Sequence, residues 1–139
     1  MSIFRARTGS RVAALTLGAA LLGLGATSWV LAGQDRREFQ VVARKYAYRV
    51  SGTSAPEIRV SQNDLVHVTF STEDIPHSFT VEDTANSHYR IMRRAEPGKP
   101  VSFDFRADSP GSFRFYCSLT LDDGCKKMQG TLIVEPRNP

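Results

Sequence analysis

The segment that decides the fold lies late in the chain, at residues 111–117, and reads GSFRFYC. Apolar and polar residues alternate along it, which is the period-two pattern of a half-buried β-strand. Phe113, Phe115 and Cys117 fall on one face of such a strand, so we expect all three to point inward. The segment therefore predicts a β-sheet whose buried face ends in a cysteine.

Short alternating segments of the same kind recur from residue 39 to residue 134, separated by turn-forming Ser, Gly and Pro residues. Strands this short, with turn signals roughly every 8–12 residues, are typical of a sandwich or barrel, and no helix is predicted beyond residue 37. We predict an all-β domain, an antiparallel β-sandwich of about seven or eight strands. Its predicted core is Val41, Val60, Val68, Phe79, Phe103, Phe105, Phe113, Phe115 and Leu132.

The first 34 residues follow a different pattern. Arg5, Arg7 and Arg11 precede an uncharged, largely apolar run at residues 12–34. A basic start followed by an apolar run is the pattern of an export signal, but this run is longer than the usual ~7–15 residues and approaches the ~20 that span a bilayer. A cleaved signal peptide and an uncleaved anchor helix both stay open. We predict a signal or anchor at 1–34 and a periplasmic domain at 35–139, soluble or anchored to the inner membrane.

The net charge of +4 does not indicate a nucleic-acid partner. Three of the basic residues precede the apolar run, and beyond residue 32 the chain carries 15 Lys and Arg against 14 Asp and Glu. Nucleic-acid binding needs a concentrated basic patch on the folded domain, and the sequence shows none. We therefore expect no nucleic-acid partner, and contact with a membrane only through the N-terminal segment.

Residues of metal-binding chemistry lie in two segments, DIPHSF at 74–79 and the stretch from Cys117 to Met128. The first supplies His77, and the second supplies Cys117, Cys125 and Met128. Imidazole, thiolate and thioether form a soft donor set, which selects copper over cations that prefer oxygen. The sequence therefore predicts these four side chains as ligands of one copper ion.

The stretch from Glu57 to Pro136 resembles the cupredoxin family in its His-Ser-Phe corner, its Pro-Gly turn, its Gly-x-Phe-x-Phe-Tyr-Cys strand and its Met-x-Gly exit. The resemblance implies a Greek-key sandwich that binds copper. The loop spacing is most similar to the binuclear copper domain of cytochrome c oxidase subunit II and nitrous oxide reductase, where it reads Cys, three residues, Cys, three residues, His, two residues, Met. Here Leu121 replaces the second bridging cysteine and Cys125 replaces the histidine. The departures favour one ion over two.

Three functions stay open at this point. The first is a one-electron carrier of a respiratory chain, with a redox partner such as a cytochrome or terminal oxidase. The second is a periplasmic copper chaperone for oxidase assembly, because two thiolates and a thioether favour Cu(I). The third is an interaction module without metal, since the spacing of Cys117 and Cys125 is also compatible with a disulfide. We expect no enzyme, because neither a nucleophile–base arrangement nor a phosphate-binding loop is present. His67 is expected to face solvent, and His88 lies beside a polar loop.

Overall fold

The computed structural model describes residues 35–82 and 89–138. The N-terminal segment predicted as a signal or anchor, at 1–34, lies outside the described residues. Within the described part, no helix is both long and apolar enough to cross a bilayer. The described strands are β1 (Arg36–Arg44), β2 (Ala47–Val50), β3 (Glu57–Ser61), β4 (Leu65–Thr72), β5 (His77–Glu82), β6 (Arg90–Ala95), β7 (Val101–Arg106), β8 (Gly111–Tyr116) and β9 (Gln129–Glu135). A 3-10 turn, Cys125–Lys127, lies between β8 and β9.

The strands form two sheets, in the orders β2-β1-β4-β7 and β3-β9-β8-β5-β6. The prediction of an all-β sandwich is therefore confirmed. The sheets are mixed rather than purely antiparallel, because β1 pairs with β4 and β3 pairs with β9 in parallel. Parallel neighbours need a crossover connection. Along the chain from β1 to β4, the connection crosses to the other sheet, where it forms β3, and then returns.

The core lies between the sheets and is rich in aromatic rings. Phe79 and Phe115 stack with their centroids 4.8 Å apart, and Tyr48 meets Phe115 edge-on at 5.2 Å. Seven of the nine predicted core residues are buried, whereas Phe105 and Phe113 are only partly buried. These two rings pack around Tyr89, which covers them from the side and leaves part of each accessible.

Strand β6 was not predicted from the sequence. It pairs with β5 at the edge of the five-stranded sheet, and only Ile91 and Ala95 of its six residues are buried. An edge strand needs only one packed face, and charged residues along it discourage pairing with other chains. Its arginines therefore hide the alternation that marks the other strands.

One glycine lets β9 approach β8 beneath the candidate site. Gly130 lies opposite Phe115 in the register of the two strands. A Cβ at this position would overlap the Phe115 ring and lie 2.6 Å from the carbonyl oxygen of Pro56. The absence of a side chain at Gly130 therefore makes room for the ring, and the chain that leads from the cysteine loop into β9 stays close to the core.

Candidate metal centre

Three of the four predicted ligands converge at one end of the sandwich. His77 begins β5, Cys117 follows β8, and Cys125 begins the 3-10 turn. His77 Nδ1 lies 4.0 Å from Cys117 Sγ and 3.8 Å from Cys125 Sγ, and the three donor atoms all lie within 4.8 Å of one another. Donors bonded to one ion at about 2.0–2.3 Å stand roughly 3–4 Å apart. The trio thus has nearly the spacing of a bound site.

The fourth predicted ligand, Met128, follows directly after the 3-10 turn. Its backbone N–H donates to the carbonyl oxygen of Cys125 at 3.2 Å, and its carbonyl oxygen accepts the N–H of Cys117 at 3.4 Å. The residue is only 1% exposed. Backbone hydrogen bonds therefore hold Met128 against both cysteines with its thioether enclosed in the domain.

Both cysteines are free thiols, not the disulfide that the sequence left open. Burial raises the pKa of Cys125 to about 12, and the neighbouring charges of Cys117 and Asp122 act in the same direction. A thiol with so high a pKa keeps its proton at neutral pH unless a cation replaces it, since metals bind the deprotonated sulfur. The chemistry of this donor set fits a soft metal ion.

Asp74 orients the imidazole of His77. Asp74 Oδ1 lies 3.0 Å from His77 Nε2, while the N–H groups of Lys45 and Ile75 donate to the same carboxylate at 2.7 Å each. Burial tends to raise the pKa of Asp74, but these three hydrogen bonds outweigh it and hold that pKa below its usual value. A carboxylate on Nε2 leaves the proton there, so the Nδ1 lone pair points toward the sulfurs.

The sulfur of Cys117 lies next to Ser78, which is the first of three linked hydroxyl groups. The backbone N–H of Ser78 donates to Cys117 Sγ at 3.4 Å, and the Ser78 hydroxyl lies 3.8 Å from it. Ser78 Oγ in turn lies 3.1 Å from Ser118 Oγ, which is 2.9 Å from Thr80 Oγ1. Hydrogen bonds to a ligating sulfur stabilise its negative charge and tune the reduction potential of the metal it holds.

The loop that carries Cys125 is tied down from the β1–β2 turn. The Cys125 N–H donates to Asp122 Oδ1 at 2.9 Å, and the Tyr46 hydroxyl donates to Asp122 Oδ2 at 3.1 Å. The Tyr46 ring lies on the backbone of Gly124, where a Cβ would overlap it. Asp122 and Tyr46 therefore fix the position of Cys125.

No role was predicted from the sequence for Asp74, Ser78 or Tyr46. For Asp74 a signal was present, because its i, i+3 spacing to His77 within one tight corner lets the two side chains meet. For Tyr46 none was available, because Asp122 lies 76 positions away.

The sequence contains two further histidines, His67 and His88. His67 is 23% exposed and bonds Asp104 through Nδ1 at 2.9 Å, in keeping with its predicted outward position. His88 lies outside the described residues. Among the residues that the structure describes, the only group of three or more His, Cys, Asp or Glu side chains placed to hold a metal ion is His77, Cys117 and Cys125.

No family model matches the sequence, but solved structures similar to this chain include copper proteins and oxidase subunits. A heme-copper terminal oxidase dimer has a chain that is 24% identical, with a TM-score of 0.61 over 76% of this chain and 68% of that one. The periplasmic domain of subunit II of cytochrome oxidase from Bradyrhizobium japonicum is 15% identical, with a TM-score of 0.59 over 72% of this chain and 84% of that one.

A blue copper oxidase from Nitrosomonas europaea is 22% identical, with a TM-score of 0.56 over 76% of this chain, and the match spans only 40% of that longer protein. At such identities the likeness shows the fold. The predicted cupredoxin-like sandwich is confirmed.

Proposed function

We propose that this domain binds one copper ion through His77, Cys117, Cys125 and Met128 and carries single electrons. The observation that carries the proposal is the position of the His77 ring. Its Nδ1 atom lies 3.8–4.0 Å from two buried free thiols, and its Nε2 atom is held by Asp74. This arrangement has the donor types and nearly the donor spacing that a soft cation needs. Two sulfur donors and an imidazole form a soft donor set that suits copper and disfavours cations that prefer oxygen.

Electron transfer suits this site better than catalysis on a substrate. His77 and Cys125 are fully buried, and Cys117 is 3% exposed, so little room is left for a substrate to reach an ion held among them. The donors are held by β5, β8, the 3-10 turn and β9, which are all parts of one packed sandwich. A rigid donor set keeps its geometry when the charge of the ion changes, and this favours rapid electron exchange. Similarity to an oxidase chain and to a subunit II domain supports a cytochrome or terminal oxidase as the partner.

Bound copper would supply the one-electron redox couple, and the protein residues would set its surroundings. Cys117 and Cys125 would release their protons as the ion enters. The Ser78 N–H, 3.4 Å from Cys117 Sγ, would stabilise the thiolate charge. Asp74 would keep the His77 proton on Nε2, 3.0 Å away, so that Nδ1 stays available.

Copper analysis of site variants tests the proposal. Protein purified under reducing conditions and loaded with copper should hold one ion per chain and, once oxidised, should show a thiolate-to-copper absorption band. Cys117→Ser should abolish the band, Cys125→Ser should change it, and the matched control His67→Ala should leave it intact. Equal copper content in the wild type and in a His77→Ala, Cys117→Ser double variant would overturn the proposal.

Copper delivery for oxidase assembly is the second candidate, and the two free thiols favour it because paired thiolates retain Cu(I). Voltammetry, together with an assay of copper transfer to an apo-oxidase domain, separates the two functions. A reversible one-electron wave with no transfer of copper to an apo-oxidase domain supports the carrier. Rapid transfer of Cu(I) without a reversible wave supports the chaperone.

Export to the periplasm is part of the same proposal, because the domain would meet its proposed redox partner there. It rests on the basic start and the apolar run of residues 1–34. A reporter that works only after export, fused behind Pro139, should be active. Activity confined to a cytoplasmic reporter at the same position would refute export.

A further inference from the structure

The candidate ligands have almost no surface of their own. His77 and Cys125 are 0% exposed, Met128 is 1% exposed and Cys117 is 3% exposed. If the proposed function holds, an electron must therefore cross protein atoms between the site and a partner. A place where the surface is connected to a ligand atom by short contacts, and which also has the character of an interface, is then a natural place for a partner to dock.

Cys117 is connected to the outer face of the five-stranded sheet through hydroxyl groups. The Ser78 hydroxyl lies 3.8 Å from Cys117 Sγ and 3.1 Å from Ser118 Oγ, and Thr80 Oγ1 lies 2.9 Å from the same Ser118 oxygen. Ser118 and Thr80 both line a groove on that outer face. Two successive polar contacts thus lead from the cysteine sulfur to the floor of an open groove.

An exposed methionine stands in this groove. Met92 lies directly opposite Thr80 in the β5–β6 register, so their side chains share a face, and Met92 is 63% exposed. Tyr116 lies opposite Thr80 on the other side and also lines the groove. Methionine, tyrosine and arginine are all enriched at protein interfaces, and this groove presents Met92 beside Tyr116.

The rim of the groove is positively charged. Arg94 and Arg90 flank Met92 two positions away on either side, which places them on the same face of β6, and Arg114 lies over the Tyr116 ring at 4.6 Å. The acidic residues described nearby are Glu82, whose carboxylate lies 3.5 Å from the Tyr116 hydroxyl, and Glu96, 3.6 Å from Arg94. Among the residues that the structure describes, three arginines against two glutamates give the rim a net positive charge.

We infer that this groove, on the outer face of β5, β6 and β8, is the docking surface for an acidic redox protein and the place where electrons enter or leave through Ser118 and Ser78 to Cys117. The inference rests on the proposed function and adds to it the location and the charge of the partner. The arginine rim attracts and orients an acidic surface, and Met92 provides the apolar contact at its centre.

A paramagnetic anion tests the docking surface without reference to copper. Hexacyanochromate(III), an inert trianion, is titrated into the purified full chain under reducing conditions, where Cu(I) or no metal leaves the protein diamagnetic. The Met92 methyl resonance should broaden well before the methyls of Leu121, which is 54% exposed on the ligand loop. An Arg90→Glu, Arg94→Glu variant should lose this preference, and a matched Arg44→Glu, Arg106→Glu control on the other sheet should keep it. Broadening centred on Leu121 would overturn the inference.

Electron transfer to a small anion tests the route. The copper-loaded, reduced protein gives one electron to hexacyanoferrate(III), which becomes hexacyanoferrate(II), and no bond forms or breaks. At low ionic strength the second-order rate constant of Arg90→Glu, Arg94→Glu should fall about tenfold below that of the Arg44→Glu, Arg106→Glu control, and the difference should shrink in high salt. Equal rates for the two variants would overturn the inference while leaving the proposed function standing. A loaded protein that shows no redox reaction at all would overturn both, and the anion titration would then report only on the charge of the groove.

Discussion

The substitution Asp74→Asn offers the sharpest test of how the site is prepared for a metal. The carboxylate accepts three N–H groups: those of His77 and Ile75 at Oδ1, at 3.0 and 2.7 Å, and that of Lys45 at Oδ2, at 2.7 Å. Asparagine is nearly the same size but has one acceptor oxygen, and its NH₂ group only donates. It therefore cannot satisfy all three donors.

Either orientation of the new amide has a predictable cost. If its oxygen stays at the Oδ1 position, the NH₂ group opposes the Lys45 N–H and the corner loosens. If the amide is reversed, the NH₂ group donates to His77 Nε2, and the ring proton moves to Nδ1, which can then no longer bind a metal. Loss of the partner that orients a metal-binding histidine weakens affinity about 10–100-fold. At about 1.4 kcal/mol for each factor of ten, this corresponds to roughly 1.4–2.8 kcal/mol of binding free energy.

The assay is competition for Cu(I) between the protein and a coloured chelator of known affinity. The chain offers a matched control in Asp104→Asn, because Asp104 bonds His67 at 2.9 Å in the same kind of pair, outside the candidate site. The affinity should fall about 10–100-fold for Asp74→Asn and stay unchanged for Asp104→Asn. An unchanged affinity in Asp74→Asn, or an equal loss in both variants, would refute the reasoning.

Three further predictions follow from contacts around the site. Gly130→Ala forces a Cβ into the Phe115 ring and should lower the free energy of unfolding by about 1–3 kcal/mol in urea titrations; an unchanged midpoint would show that the ring has room to move. Tyr46→Phe removes the donor to Asp122, so Cys125 in the metal-free protein should react faster with a thiol reagent, as followed by mass spectrometry; an unaltered rate would argue against the tie. Because burial raises the pKa of Cys125 from 9.0 to about 12, an unfolded chain loses this proton at a lower pH than the folded one, and the stability of the metal-free protein should fall between pH 9 and pH 12; a gain in stability over that range would contradict the raised pKa.

The β-sandwich was predictable because its signal is local. The alternation in segments such as 111–117 follows from the two-residue repeat of a strand. The face to which each side chain points can therefore be read from its position along the segment. The inward orientation of the Phe115 and Cys117 side chains could be derived in the same way, and both residues are buried. The alternation is weaker in a strand that buries only part of one face. Edge strand β6, with arginines at three of its six positions, was missed for this reason.

The sequence by itself determined the residue types that the candidate site contains: an imidazole, two thiols and a thioether, a donor set whose softness is a property of the atoms and not of the fold. Tertiary structure decided everything that depends on distant segments meeting. It placed His77 within 4.0 Å of two cysteines that follow 40 and 48 residues later. It also decided that these cysteines are free, and that Tyr46 holds their loop from 76 residues away. Such contacts are fixed by strand pairing and by the packing of two sheets, and neither leaves a periodic trace in the sequence.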